Sequence, residues 1–194
     1  MIEIPVICIV LALAEEDSLD DVELARKIKK GDEAAFKIFF NRHYDPLLRF
    51  LLSKNLTTEV AEDLIQNAFL YIWDHRKKIE PEKSLRAYLF RIGYTRMLNH
   101  FRDTQKVDNT DAVPESSTDL TPEDHLRSSE LKEAVDQAIN GMPKKRREVF
   151  QLCFMQELTY KEAAKVMDIT RKTVENHMGL AFKDIRAALK HFNS

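Results

Sequence analysis

The chain has 194 residues, 44% of them hydrophobic and only four of them glycine. That is enough apolar material for one large or two small cores, and it excludes a disordered tail. The formal net charge of −2 averages over blocks of opposite sign: Lys144 to Ser194 holds eleven Lys or Arg against six Asp or Glu, Ser84 to Lys106 five against one, and Val107 to Glu133 two against eight. Two basic segments separated by an acidic connector suggest two surfaces for a polyanion and a linker that avoids it, although solvated helix faces produce the same pattern. Abundant Leu, Ala, Lys, Glu and Arg, with no long β-branched alternation, predict an all-α fold. Cys8 and Cys153 are too few for a metal cluster or a disulfide framework and read as small apolar residues in a reducing cytosol.

The apolar run Ile4 to Ala14 resembles the core of a secretion signal, but Glu3 stands where positive charge is wanted and no Lys or Arg precedes it. It is also short of the roughly 20 residues a membrane-spanning helix needs. The reading is an apolar extension, residues 1–17, that packs on the body or precedes the functional start near Ser18.

Ser18 can cap a helix with an acidic first turn, LDDVELARKIKKGD, which Gly31 stops. In DEAAFKIFFNRHYDPLLRFLLSKN, apolar residues recur at Phe36, Phe39, Phe40, Leu47, Leu48, Leu51 and Leu52, with Pro46 marking a break or kink. A third helix begins at Thr57 or Thr58 and fades before Glu80-Pro81. A fourth starts at Ser84 and brings Leu85, Tyr88, Leu89, Ile92 and Met97 to Phe101 near one face. These form a first domain over residues 18–106. Residues 107–129, with Pro114, Ser116, Ser117, Thr118 and Pro122 among acids, read as a flexible acidic linker. Helices resume in a second domain, 130–194, as ELKEAVDQAINGM, KKRREVFQLCFMQE, TYKEAAKVM and TRKTVENHMGLAFKDIRAALKHF.

Thr159 and Glu162 make a capping box that fixes a helix start at Tyr160. Ala164 permits close helix approach, Asp168 occupies a tight turn where Gly is usual, and Ile169 and Val174 plug the angle before a helix capped by Thr170. This is helix-turn-helix spacing. With Val174, Met178, Phe182 and Ile185 inward, Arg171, Lys172, Glu175, Asn176 and Gly179 face out. Arg suits guanine, Asn adenine and Glu cytosine in the major groove, while Lys172 and Thr170 suit phosphates. A helical hairpin with an ordinary charged face is the alternative. The string Thr-Val-Glu-Asn-His also resembles the recognition helix of LuxR-type regulators, so this segment alone leaves the family open.

On the third helix, Ala61, Leu64, Ile65, Ala68 and Ile72 form a core stripe, and Asp63, Gln66, Asn67, Leu70 and Asp74 lie opposite, with Trp73 at the edge. Such a mixed face suits docking against another helix, or is simply solvated. The fourth helix interleaves Arg86, Arg91, Arg96, Arg102 and Lys106 with Tyr88, Phe90, Tyr94, Asn99 and Phe101. Cations track phosphates and rings stack on unpaired bases, the composition of a single-strand platform, although the same rings can fill a core.

The order of AEDLIQNAFLYIW, SLRAYLFRIGYTRMLNHFR, an acidic linker and GMPKKRREVFQLCFMQELTYKEAAKVMDITRKTVENHM closely resembles the bacterial extracytoplasmic-function (ECF) sigma factors. The resemblance covers roughly Asp20 to Leu189. It implies a transcription initiation factor rather than an enzyme, with two helical domains, conventionally regions two and four. It implies that Asp63, Gln66, Asn67, Leu70 and Trp73 dock on core RNA polymerase, Asn67 departing from the acid usual there. Tyr88, Arg91, Tyr94, Asn99 and Arg102 would capture the melted minus-ten strand, and the loop Lys77 to Lys83 would help choose a flipped base. Thr170, Arg171, Lys172, Glu175 and Asn176 would read the minus-thirty-five duplex of promoter DNA, and the linker would thread near the RNA exit path. Many members are held inactive by a membrane-anchored anti-sigma factor, so such a partner is implied, in the cytoplasm, with no cofactor, metal or small-molecule substrate.

Three rivals are weaker. A LuxR-like regulator needs a sensing α/β domain ahead of its helix-turn-helix, and the helical first half offers none. An enzyme lacks support because there is no phosphate-cradling Gly loop and the six histidines show no ligand spacing. A purely protein-binding adaptor leaves both basic elements unexplained.

Overall fold

The computed structural model describes residues 20–107 and 126–192, and among these there are helices and turns but no strand. The apolar run Ile4 to Ala14, Ser18 and most of the acidic linker lie outside the described residues. The chain divides into two units, Met1–Thr110 and Asp111–Ser194.

In the first unit, helix α1 (Asp21–Lys29) is capped by Asp20, whose carboxylate accepts from the Glu23 amide at 2.7 Å. Asp20 therefore supplies the cap expected of Ser18, because its side chain lies three residues before a free first-turn amide. The helix ends at Gly31, whose φ of +91° suits a residue without a Cβ. There the Asp32 amide donates to the Lys27 carbonyl at 3.1 Å and the Gly31 amide to that of Ile28 at 2.9 Å. Asp32 then caps α2 (Glu33–Leu52) by accepting from the Ala35 amide at 3.0 Å, so two helices join with no slack.

Of the break or kink expected at Pro46, α2 shows no break: one helix runs through it. Pro inside a helix costs about 3 kcal/mol. Burial of Phe39 and His43 before it and of Leu47, Phe50 and Leu51 after it holds both halves to one core and offsets that cost.

Helix α3 (Thr58–Asp74), capped by Thr57, leads through a 3-10 turn (Arg76–Lys78) to α4 (Leu85–Val107). Ser84 starts α4 by accepting from the Ala87 amide at 3.1 Å. The predicted α3 stripe of Ala61, Leu64, Ile65, Ala68 and Ile72 is buried, and Phe69 joins it amid Phe36, Phe39 and Phe40. Gly93 on α4 lets α2 come close, since a Cβ there would sit 3.1 Å from Leu47 Cδ1.

The second unit holds α5 (Leu126–Asn140), α6 (Lys144–Phe150), α7 (Tyr160–Met167) and α8 (Arg171–Ala188), closing in a 3-10 turn (Leu189–Phe192). Helix α5 starts inside the stretch read as linker. The helix expected over KKRREVFQLCFMQE widens after Phe150 into a π turn, Gln151–Met155. Val149, Phe150, Leu152, Ala163, Val166, Val174, Met178 and Ala181 form the core, and Arg146 pairs with Asp184 at 2.6 Å to tie α6 to α8.

Candidate nucleic-acid interface

In the second unit, the α7 start is a reciprocal capping box. The Thr159 hydroxyl accepts from the Glu162 amide at 3.3 Å, and the Glu162 carboxylate accepts from the Thr159 amide at 2.8 Å. At its far end Asp168 adopts φ 53° and ψ 47°, the left-handed turn that its short polar side chain tolerates. Its amide and that of Ile169 both donate to the Ala164 carbonyl, the latter at 3.0 Å. Thr170 then caps α8 by accepting from the Thr173 amide at 3.1 Å.

That geometry turns Val174 and Met178 inward and leaves Thr170, Arg171, Lys172, Asn176 and Gly179 exposed, with Glu175 half-buried beneath them. Arg171 Nε lies 3.0 Å from Glu175 Oε1, and Lys172 Nζ lies 3.6 Å from Oε2. The inward stripe differs from the sequence reading at its end. Ala181 takes the third buried place, Phe182 is exposed with its ring in a T-shaped contact with Phe150, and Ile185 is half-buried. Ala181 follows Met178 by three residues, so Phe182 falls about 100° farther round the helix.

In the first unit, α3 carries Asp63, Gln66, Leu70 and Asp74 on its solvent side, with Leu70 59% exposed. Asn67 is fastened to Asp63, its amide donating to the backbone carbonyl at 2.9 Å and to the carboxylate at 3.1 Å. Trp73 is half-buried at the margin: its ring packs on Phe36 at 4.9 Å and lies under the Arg76 guanidinium at 4.4 Å.

Helix α4 divides its aromatic residues between two faces. Tyr88 is 37% exposed and shares the outer face with Arg91, Thr95, Leu98, Asn99 and Arg102. Tyr94 is 2% exposed, buried against Phe50 alongside Phe90, and cannot offer its ring to a base. It is removed from the candidate face. The reason is rotational: six residues separate Tyr88 from Tyr94, which puts them about 240° apart on a helix.

The structure adds Tyr71 to this seam. Its ring stacks on His75 at 4.1 Å and lies 5.9 Å from the Arg96 guanidinium, and its phenol neighbours that of Tyr88. Partial burial and that neighbour hold the Tyr88 phenol above its ordinary range, so it stays a neutral hydrogen-bonding group. Thr95, seven residues after Tyr88, was readable from helical period; Tyr71 sits on another helix and was not. The loop Lys77 to Lys83 is fastened to α1 from both sides, Lys29 donating to the Ile79 carbonyl at 2.8 Å and Arg26 pairing with Glu82 at 3.0 Å.

Among the described residues no group of three or more His, Cys, Asp or Glu is placed to hold a metal, and no helix is long and apolar enough to cross a membrane. Burial pushes the Cys153 thiol up to about 11, which leaves it a poor nucleophile at neutral pH.

Residues 39–107 match the family described as Sigma-70 region 2, and residues 132–185 match Sigma-70, region 4. The chain is 28% identical over 178 residues to the RNA polymerase sigma factor NccH of Alcaligenes xylosoxydans xylosoxydans, covering 88% of this chain and 95% of that one. It is 23% identical over 173 residues to the ECF RNA polymerase sigma-E factor of Haemophilus influenzae, covering 84% and 91%. The chain belongs to the ECF sigma factors. Its fold is also that of the sigma factor RpoE solved in complex with the anti-sigma factor NepR from Bartonella quintana, with a TM-score of 0.61 at 23% identity over 80% of this chain and 96% of that one. In this ECF sigma factor the region 2 match takes in both outer faces, on α3 and on α4, and the region 4 match takes in α7, the turn and α8 as far as Ile185.

Proposed function

We propose that this sigma factor binds core RNA polymerase and directs it to specific promoters, its first unit engaging polymerase and the melted minus-ten strand and its second unit reading the minus-thirty-five duplex. The observation that carries the reading is the pairing, in one chain, of an exposed Tyr88–Arg91–Asn99–Arg102 face on α4 with a capped helix-turn-helix exposing Arg171, Lys172 and Asn176. The two faces suit different forms of DNA. A ring beside cations serves unpaired bases, and side chains projecting from a recognition helix serve base edges in a duplex groove.

The α3 face of Asp63, Gln66, Asn67 and Leu70, with Trp73 at its margin, is the polymerase contact. A half-polar face with one exposed Leu fits a helix-docking surface of modest area. The acidic linker keeps clear of the duplex, and once polymerase anchors the first unit the second reads DNA at raised effective concentration. The protein acts by placing a polymerase rather than by catalysing a reaction, and its site of action is the cytoplasm. The RpoE relative, solved with an anti-sigma factor, supports a protein inhibitor of that kind as a partner here.

The test is co-elution of the purified chain with bacterial core polymerase, followed by transcription from genomic fragments. A stable complex that yields start-site-specific transcripts is expected. Failure to bind core refutes the assignment.

A further inference from the structure

We propose that Glu175 is a positioning residue for upstream recognition, one that reads no base itself but aims Arg171 and limits the positive charge at the start of α8. This rests on the reading of α8 as the recognition helix. The sequence suggests a different role, a carboxylate accepting from cytosine. The geometry points away from it. Each Glu175 oxygen already faces its own cation, Oε1 facing Arg171 Nε at 3.0 Å and Oε2 facing Lys172 Nζ at 3.6 Å.

The Arg171 contact runs through Nε, one helical turn away. The two terminal guanidinium nitrogens are therefore left for a partner, and a pair of parallel Arg donors is what meets O6 and N7 of guanine. The carboxylate also sits low: the Glu175 side chain is 33% exposed, against 70% for Arg171 and 78% for Lys172. A duplex reaching this surface meets the cations first. Ion pairs this exposed contribute little to folding, so their consequence lies in orientation. An arginine already held in one direction loses less freedom when it binds.

Charge is the second effect. Arg171 and Lys172 carry two positive charges and Glu175 one negative, so the carboxylate halves the local net charge offered to phosphates. Removing it should strengthen binding to any duplex and steepen its salt dependence by about one counterion.

The experiment uses the full chain assembled with bacterial core polymerase on a promoter library with a randomised upstream element, sequencing transcripts to obtain the preference at each position. Wild type is compared with Arg171→Ala, Glu175→Gln, Glu175→Asp and the double variant Arg171→Ala with Glu175→Gln. Glu175→Gln is expected to weaken, by about three- to tenfold, the preference at the same base pair that Arg171→Ala abolishes. The double variant should be no worse than Arg171→Ala alone. Glu175→Asp, shorter but still charged, should keep the wild-type salt dependence while weakening the preference as Glu175→Gln does. Loss of preference at a different base pair makes Glu175 a direct reader and overturns the proposal, as does an unchanged preference at every position. If Arg171→Ala itself alters no position, the assignment of α8 fails, and that failure is visible without any Glu175 variant.

Discussion

Replacing Leu70 by Ala tests the proposed polymerase-docking face on α3 with little disturbance of the fold. Leu70 keeps 59% of its surface exposed in the free protein. Fully burying a Leu side chain is worth about 1.5–3 kcal/mol, so covering what remains exposed is worth about 1–2 kcal/mol. Removal should therefore raise the Kd for core polymerase by about five- to thirtyfold. Folding stability should move by no more than about 1 kcal/mol, since less than half of the residue is covered by the protein. The adjacent residue gives the control. Phe69 is 3% exposed among Phe36, Phe39 and Phe40, and Phe69→Ala should cost about 3–5 kcal/mol of stability. Fluorescence titration of labelled core polymerase, beside thermal unfolding of each variant, reads both quantities. Unchanged core affinity in Leu70→Ala refutes the docking face, and a lowered Tm with core affinity falling in proportion refutes the claim that the face is separate from the core.

Three further outcomes follow from the same geometry. Tyr88→Ala should leave the Tm within a few degrees and reduce promoter opening, read by permanganate reactivity of the melted strand, whereas Tyr94→Ala should lower the Tm steeply because its ring is core. Thr159→Ala removes half of the capping box and should cost about 1–2 kcal/mol, lowering the unfolding midpoint of the second unit in urea while leaving the first unit unchanged. Asp21 sets an acid limb. The His43 ring nitrogen, 3.6 Å from its carboxylate, together with Arg86 and Arg42, outweighs burial and holds its carboxyl below the ordinary range. Its contribution is thus fully present above about pH 4 and is lost as pH falls through the lower folded value. Asp21→Asn should lower the urea midpoint at pH 7 and flatten its decline under acid; an identical acid limb in the variant contradicts this.

Much of the helical framework was legible because it is written locally. The Thr159–Glu162 capping box, Thr170 as a cap, the left-handed turn at Asp168 and the α3 stripe from Ala61 to Ile72 each follow from spacing within one element. What failed needed tertiary information, or a stricter use of period. Pro46 left a break or a kink open because its local cost is visible in sequence, while the burial on both sides that offsets it is not. Asp20 and Ser18 are both competent caps, and only the observed start at Asp21 separates them. Tyr94 was grouped with Tyr88 on composition, although their spacing already placed them on different faces. The π turn at Gln151–Met155, with Phe154 and Met155 exposed, has no local signal to announce it. Tyr71 emerged only when side chains from different helices were placed together, whereas the Glu175 pairing with Arg171 and Lys172 is an i,i+4 and i,i+3 spacing within one helix that the sequence already carries.

In the proposed function, two separate readers in one chain place a polymerase at a promoter. Mapping the starts of transcripts that core polymerase makes from fragmented genomic DNA, with and without the chain, tests it most directly. New starts are expected that share two short sequence blocks at a fixed spacing, the upstream block losing its influence in Arg171→Ala and the downstream one in Tyr88→Ala. Starts identical to those of core polymerase alone, or a single shared block affected equally by both substitutions, contradict it.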